Sequence, residues 1–247
     1  MTIKVAVLGA AGRMGTTTAA AVRAAQGLEL VAELDAGDDV SALAGQVDVA
    51  IDFTVPDVTE ANVHALLDAG IHAVVGTTGW DDAALGRVRA HATTRPDLGV
   101  LIAPNFALSA VLSMKFAEMA APLFASVEVV EMHHPRKVDA PSGTAVHTAR
   151  GVAAARAEAG LGAMPDATTT SLPGARGADV DGVQVHSLRL EGLVAHEQIF
   201  LSNPGELLTI RTDSFDRSSF MPGVILAVRQ VASHPGLSVG LDTYLDL

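Results

Sequence analysis

Ile3-Lys4-Val5-Ala6-Val7-Leu8-Gly9-Ala10-Ala11-Gly12-Arg13-Met14-Gly15 carries an apolar strand pattern straight into a G-x-x-G-x-x-G corner, and a helical pattern follows from Arg13 to about Gln26. Glycines at such a corner let the backbone turn tightly and approach a pyrophosphate, while free N–H groups and the positive end of the helix face its charge. A second apolar run, Leu30 to Leu34, ends in Asp35, 20 residues after Gly15. A carboxylate there can accept hydrogen bonds from the hydroxyls of an adenosine ribose. The glycines alone say little, because any glycine-rich turn beside a solvated aspartate shows the same letters. The strand before them, the helix after them and the distance to Asp35 favour a dinucleotide corner.

Outward from this corner the first hundred residues keep alternating. Val47 to Phe53, His72 to Gly76 and Val100 to Ala103 read as further buried strands, and Asp57 to Ala69 and Asp81 to Arg95 read as helices. Alternation of this kind implies a Rossmann-type parallel sheet with helices on both faces. Gly76-Thr77-Thr78-Gly79 and Ala103-Pro104-Asn105-Phe106 follow two of these strands, at the sheet edge where ligands of open α/β sheets sit. Ser109 to Phe124 reads as a helix that packs into a core through Leu112, Phe116, Met119 and Leu123.

Beyond Val127 to Met132, another strand, the character changes. Val183 to Leu190, Val194 to Leu201 and Glu206 to Thr212 follow one another without helices, as in a smaller α+β domain with an open mixed sheet. Gly160 to Gly182 lacks periodicity, and a loop that long is more often functional or mobile than accidental. Phe220 to Val231 resumes a helix, and Leu237 to Leu241 reads as a short strand. The α/β chain thus divides into residues 1–106 with 214–247, a dinucleotide-binding domain, and residues 107–213, a second domain.

Composition narrows the chemistry. The chain has 247 residues, 49% apolar and 18% charged, as ordinary globular proteins do. It has no cysteine, which removes disulfides, thiolate metal sites and a cysteine nucleophile. The N-terminus enters a strand at once, leaving no room for a secretion signal, and no apolar stretch nears the roughly 20 residues that span a bilayer. A cytoplasmic protein with no membrane partner is expected. The net charge of −12 argues against nucleic acid as partner. An anionic substrate would need a local cluster of cations, and the only lysines are Lys4, Lys115 and Lys137.

Such a cluster stands at His133-His134-Pro135-Arg136-Lys137, followed by Val138-Asp139-Ala140-Pro141-Ser142-Gly143-Thr144-Ala145. Adjacent histidines on an extended chain point to opposite sides, and no cysteine or third histidine lies at a supporting spacing, so no metal is expected. A Ser142, His133 or His134, Asp139 triad lacks a nucleophile-elbow setting and ranks far behind. Ser142 to Thr144 precede an apolar helical run, Ala145 to Ala155, so their amides form an anion seat at a helix N-terminus. A basic patch beside an anion seat, with His and Lys able to give protons, suits reduction of a small carboxylated imine or enamine.

The thirteen residues from His133 to Ala145 resemble the signature of the dihydrodipicolinate (4-hydroxy-tetrahydrodipicolinate) reductase family. The likeness extends over essentially the whole chain, through the N-terminal glycine corner, Gly76 to Gly79, Ala103 to Phe106 and Asp216-Arg217-Ser218-Ser219-Phe220. The resemblance implies NADH- or NADPH-dependent reduction of a small cyclic dicarboxylate in diaminopimelate and lysine synthesis. It also implies a homotetramer formed through the open sheet. It matches His133 and Lys137 to the acid/base residues, and His134, Gly143 and Thr144 to contacts with the substrate carboxylates. It matches Gly9, Ala10, Ala11, Gly12, Arg13, Met14, Asp35, Gly76, Thr77, Thr78, Ala103, Pro104, Asn105 and Phe106 to cofactor contacts, with Phe220 close to the cofactor. Ala11 departs from relatives with a basic residue there, which leaves Arg13 as the main local cation for a 2′-phosphate. The rival readings are a non-catalytic dinucleotide-sensing regulator and another reductase of an amino or imino acid.

Overall fold

β1 (Ile3–Leu8) is buried from Val5 onward, as a central strand covered on both faces must be. It pairs in parallel with β2 (Leu28–Leu34) and β3 (Val49–Asp52). β4 (His72–Val75), β5 (Gly99–Ile102) and β11 (Gly236–Val239) complete a six-stranded parallel sheet of order β11-β5-β4-β3-β1-β2. The computed structural model describes residues 2–245. The chain divides into two units, Met1–Leu108 with Arg217–Leu247, and Ser109–Asp216.

In the first unit α1 (Arg13–Ala24), α2 (Pro56–Asp68), α3 (Asp82–Thr93) and α6 (Met221–Gln230) accompany the sheet. Gly9 turns the chain at φ +75°, and a Cβ on it would lie 2.6 Å from the Phe53 carbonyl oxygen. A Cβ on Gly15 would lie 2.0 Å from the Gly9 carbonyl oxygen, so these two glycines are what allow α1 to close onto the end of β1. The last strand is shorter than the apolar letters suggest: β11 stops at Val239, and Leu241–Tyr244 forms a 3-10 turn after Gly240 at φ +91°.

The second unit is a mixed sheet of order β10-β9-β6-β8-β7 with α5 (Gly143–Glu158) on one face. Its strands are β6 (Ser126–His133), β7 (Ala178–Val180), β8 (Val183–Arg189), β9 (Ala195–Asn203) and β10 (Glu206–Ser214). β6 runs parallel to β8 and antiparallel to β9, and register puts Val129 beside Val185 and Ile199. One step on, Glu131 lies beside Ser187 and Glu197, and then His133 lies beside Arg189 and Ala195. Because side chains alternate with period two, these three rows share the face that α5 covers. The apolar rows form the core with Ala145, Ala149 and Val152, and the rows turn polar toward the end where α5 begins.

Two expectations change here. Of the large residues expected to pack, Phe116 and Met119 of α4 (Leu108–Ala120) and Leu123 of the 3-10 turn after it are 48%, 67% and 73% exposed, and Leu112 is partly buried. The buried side of α4 is Ala110, Val111, Ser113 and Ala117, and Ala117 and Ala121 join the alanines of α5 in the core. An alanine surface lets a neighbour approach closely, so small residues face inward. The aperiodic stretch after α5 contains β7 and is tied to the sheet: Val127 N donates to the Met164 sulfur at 3.0 Å, and Arg176 pairs with Glu128 and Asp166.

Candidate active site

In the first unit the candidate residues gather at the carboxyl ends of β1 to β5. α1 starts at Gly12 with no side-chain cap and no acidic residue in its first turn, so the amides of Arg13 and Met14 and the positive end of the helix stay available to a phosphate. Both carboxylate oxygens of Asp35 lie 3.1 Å from the Ala11 amide, which places Asp35 at the tip of the glycine corner. Arg13 is exposed at the start of α1. These features fit a dinucleotide.

The hub of this end is a pair of neighbours that sequence reasoning passed over. Asp52 is fully buried and accepts from Thr54 N at 2.8 Å, Thr54 Oγ1 at 2.6 Å, Asn62 Nδ2 at 2.9 Å and Thr77 Oγ1 at 2.8 Å. The Thr77 hydroxyl is therefore engaged within the protein, and its carbonyl accepts from Trp80 Nε1. Phe53 meets Phe106 edge to face, with centroids 6.0 Å apart, and fills the space where Gly76 lacks a side chain. The Phe106 ring is buried, so Ala103 to Phe106 offer mainly backbone and Asn105 to a ligand. α6 closes on the same loop, since a Cβ on Gly223 would lie 2.1 Å from the Phe106 carbonyl oxygen, and Phe220 sits one turn earlier. An Asp ending the apolar run Val49-Ala50-Ile51 was the available signal for this hub.

In the second unit His133 ends β6 with its Nδ1 2.5 Å from Glu131 Oε2. Arg189 grips both Glu131 oxygens, at 2.9 and 2.7 Å, and donates to the Asp139 carbonyl at 2.8 Å. Ser142 N donates to Glu131 Oε1 at 3.3 Å. The Ser142 amide is thus not part of the anion seat, contrary to the expectation from sequence. Its side chain caps α5 by accepting from Ala145 N at 3.3 Å. Gly143 has open space where a Cβ would stand.

Lys137 and Asp139 pair at 2.7 Å. The Lys137 hydrogen bond, with smaller help from the Gly143 amide, holds the Asp139 carboxyl below its usual range. Arg136 is exposed and faces Glu191 at 3.3 Å, so it is engaged at the surface. His134 Nδ1 is buried without a protein partner. Among the described residues no group of three His, Asp or Glu could hold a metal ion.

Two buried carboxyls a strand apart behave in opposite ways. Burial pushes Glu131 up, but hydrogen bonds from His133, Arg189 and Ser187 and the charge of His133 outweigh it, and its pKa falls to about 2. Burial pushes Glu197 up to about 7, opposed by the hydrogen bond from Thr148 and reinforced by the charge of Glu131. Glu197 Oε1 accepts from Thr148 Oγ1 at 2.8 Å, while its Oε2 is buried without a partner.

A parallel sheet with a glycine corner, in one chain with a mixed sheet that ends in a cluster of histidine, lysine and buried carboxyls, is the arrangement of a nicotinamide-dependent oxidoreductase. Residues 3–106 match the family described as dihydrodipicolinate reductase, N-terminus, and residues 109–245 match dihydrodipicolinate reductase, C-terminus. The chain belongs to the dihydrodipicolinate reductase family. It is 79% identical over 247 residues to a 4-hydroxy-tetrahydrodipicolinate reductase of Beutenbergia cavernae, with all of both chains covered. It is 60% identical over 248 residues to one of Nocardia farcinica, again covering all of both. A dipicolinate-bound dihydrodipicolinate reductase from Paenisporosarcina sp. TG-14 superposes with a TM-score of 0.90 at 38% identity, over 98% of this chain and 99% of that one. GenD2 from gentamicin A biosynthesis, in complex with NAD, shares the fold alone, with a TM-score of 0.62 at 16% identity over 99% and 90% of the two chains.

A carboxyl with a raised pKa in the folded state contributes stability that is complete below its unfolded value and is lost as pH rises through the folded one. Glu197 therefore predicts a decline in stability from about pH 5 to about pH 8, of up to roughly 2 to 3 kcal/mol. Glu197→Gln should flatten that decline in thermal unfolding and be the more stable protein at pH 8. An equal slope in both proteins would mean that Glu197 is ionised throughout.

Proposed function

We propose that the chain reduces 4-hydroxy-tetrahydrodipicolinate with NADH or NADPH and a proton, giving tetrahydrodipicolinate, the oxidised cofactor and water, as a step of diaminopimelate and lysine synthesis. The observation that carries the reading is the polar end of the second sheet. There His133 is held by an ionised carboxylate, beside a capped helix start whose Gly143 is open above.

When bound, the reduced nicotinamide supplies the hydride. Gly9 to Met14 and Asp35 hold the pyrophosphate and ribose, and Gly76 to Thr78, Ala103 to Phe106 and Phe220 complete the cofactor site. Residues 1–106 with 214–247 serve as the dinucleotide domain and 107–213 as the substrate domain. A substrate carboxylate sits on the Gly143 and Thr144 amides, with His134 and Lys137 facing its charge. Fixed donors there draw electron density from the ring and ease hydride attack. His133 or Lys137 gives the proton. Lys137 does so only when its ion pair with Asp139 opens.

The assembly is a homotetramer, and the sheet face opposite α5 is the surface we assign to it. Val130 and Phe200 lie there only partly buried, and Leu207 on the edge strand β10 is 62% exposed. No described helix is long and apolar enough to cross a membrane. The acidic, cysteine-free composition supports a cytoplasmic setting.

The direct test follows NADH and NADPH oxidation with enzymatically generated substrate. His133→Gln should lower kcat by about two orders of magnitude or more with NADH affinity unchanged, because a positioned acid contributes about that much. Gly143→Leu, which fills the open space over the seat, should act mainly by raising KM for the substrate. A His133→Gln protein that folds and keeps its kcat would return His133 to the wall of the site.

Asp35 carries a negative charge where a 2′-phosphate would approach, whereas Arg13 attracts one. Both cofactors should be used, NADH at least as well as NADPH. Asp35→Asn should raise the NADPH to NADH ratio of kcat/KM by about fivefold, the size of one exposed charge pair. An unchanged ratio would remove Asp35 from the cofactor site.

A further inference from the structure

We propose that Glu131 is a positioning residue for the reduction: it pins the proton on His133 Nδ1, so that Nε2 is the atom that delivers and recovers the proton. The inference rests on the reading of His133 as proton donor and extends it to a residue that touches neither substrate nor cofactor.

The geometry fixes the charge of Glu131. Arg189 offers only N–H donors, and so does the Ser142 backbone; between them they address both carboxylate oxygens. A protonated carboxyl would turn an O–H against one of these donors. Glu131 is therefore an acceptor at every contact, and the 2.5 Å approach of His133 Nδ1 requires the hydrogen to be on that nitrogen. Neutral His133 then has its lone pair on Nε2, and protonated His133 carries its labile proton there. Proton transfer breaks Nε2–H, and the imidazolium charge that disappears is the one facing Glu131.

The same contacts fix where the ring stands. Arg189 joins Glu131 to the Asp139 carbonyl, and the Ser142 amide joins Glu131 to the cap of α5. The proton donor and the helix start that forms the seat are thus referred to one carboxylate. The charged and titratable groups around His133 are Glu131 on its own strand, Arg189 on β8, Glu197 on β9, and His134 and the Lys137–Asp139 pair of the loop. α5 contributes the neutral Ser142 and Thr148 to the cluster. Of these groups, Glu131 alone hydrogen-bonds the His133 ring among the described residues.

A buried Glu131–Arg189 pair would also be expected of a purely structural tie, and the two roles differ in what they do to titration. The experiment measures kcat/KM against pH for the wild type, His133→Gln and Glu131→Gln, with NADH affinity followed separately. With the carboxylate charge gone, protonated His133 loses its partner. In Glu131→Gln the alkaline limb should therefore move to lower pH by about one unit, and kcat should fall about 10- to 100-fold with NADH affinity unchanged. A structural tie predicts lower stability and an unmoved limb. If His133→Gln keeps its kcat, the reading of His133 fails. If His133→Gln is inactive but folded Glu131→Gln keeps the wild-type limb, the positioning role alone is overturned. Should Glu131→Gln not fold, imidazole nitrogen NMR of the wild type decides: neutral His133 protonated on Nδ1 supports the proposal, and the Nε2-protonated form overturns it.

Discussion

The carboxylate of Glu131 is the constraint on which the second unit depends. Placing an ion at a fully buried position costs several kcal/mol, and only a complete set of donors offsets it. Here the donors come from four residues: His133 on the same strand, Arg189 and Ser187 on β8, and the backbone of Ser142. Each is thereby held at the end of the sheet. Removing one partner leaves the others around an uncompensated charge, so the network is maintained as a whole. Glu197, its neighbour on β9, is the counterpart whose pKa burial raises, and among the described residues no cation pairs with it.

The first unit uses the same device without a cation. Asp52 stands at the carboxyl end of β3 and collects four N–H and O–H donors from the loops after β3 and β4 and from α2. Loops at strand ends are otherwise the most mobile parts of an α/β sheet. In both units a buried carboxylate stands where an apolar strand runs out and ties the adjacent loops to the sheet.

How much of this could be read from the letters follows from the range of each interaction. The glycine corner, the βα alternation, Asp35 and the stretch from His133 to Ala145 are local patterns, and each occupies a place in the fold close to the one its residues suggest. Glu131, Arg189 and Asp52 went unnoticed because their meaning lies in pairing partners; Arg189 is 58 residues from Glu131. A signal existed in period two: Val127-x-Val129-x-Glu131-x-His133 and Val183-x-Val185-x-Ser187-x-Arg189 each turn from apolar to polar toward one end, and Glu197-x-Ile199-x-Leu201 does so in reverse. Recognising that the rows meet requires the register. α4 failed for a different reason, since helical spacing offers two stripes, and only the alanines of α5 decide that the small one faces inward.

In the proposed reaction the substrate carboxylate takes the Gly143 amide over from Asp139 and lies against Thr144, whereas the Ser142 amide stays with the buried Glu131. Backbone amide NMR during titration with dipicolinate separates these amides. The Gly143 and Thr144 amide protons should move downfield and saturate together, while Ser142, held by the buried Glu131, shifts little. Saturable binding that moved Ser142 and left Gly143 and Thr144 unchanged would contradict that assignment.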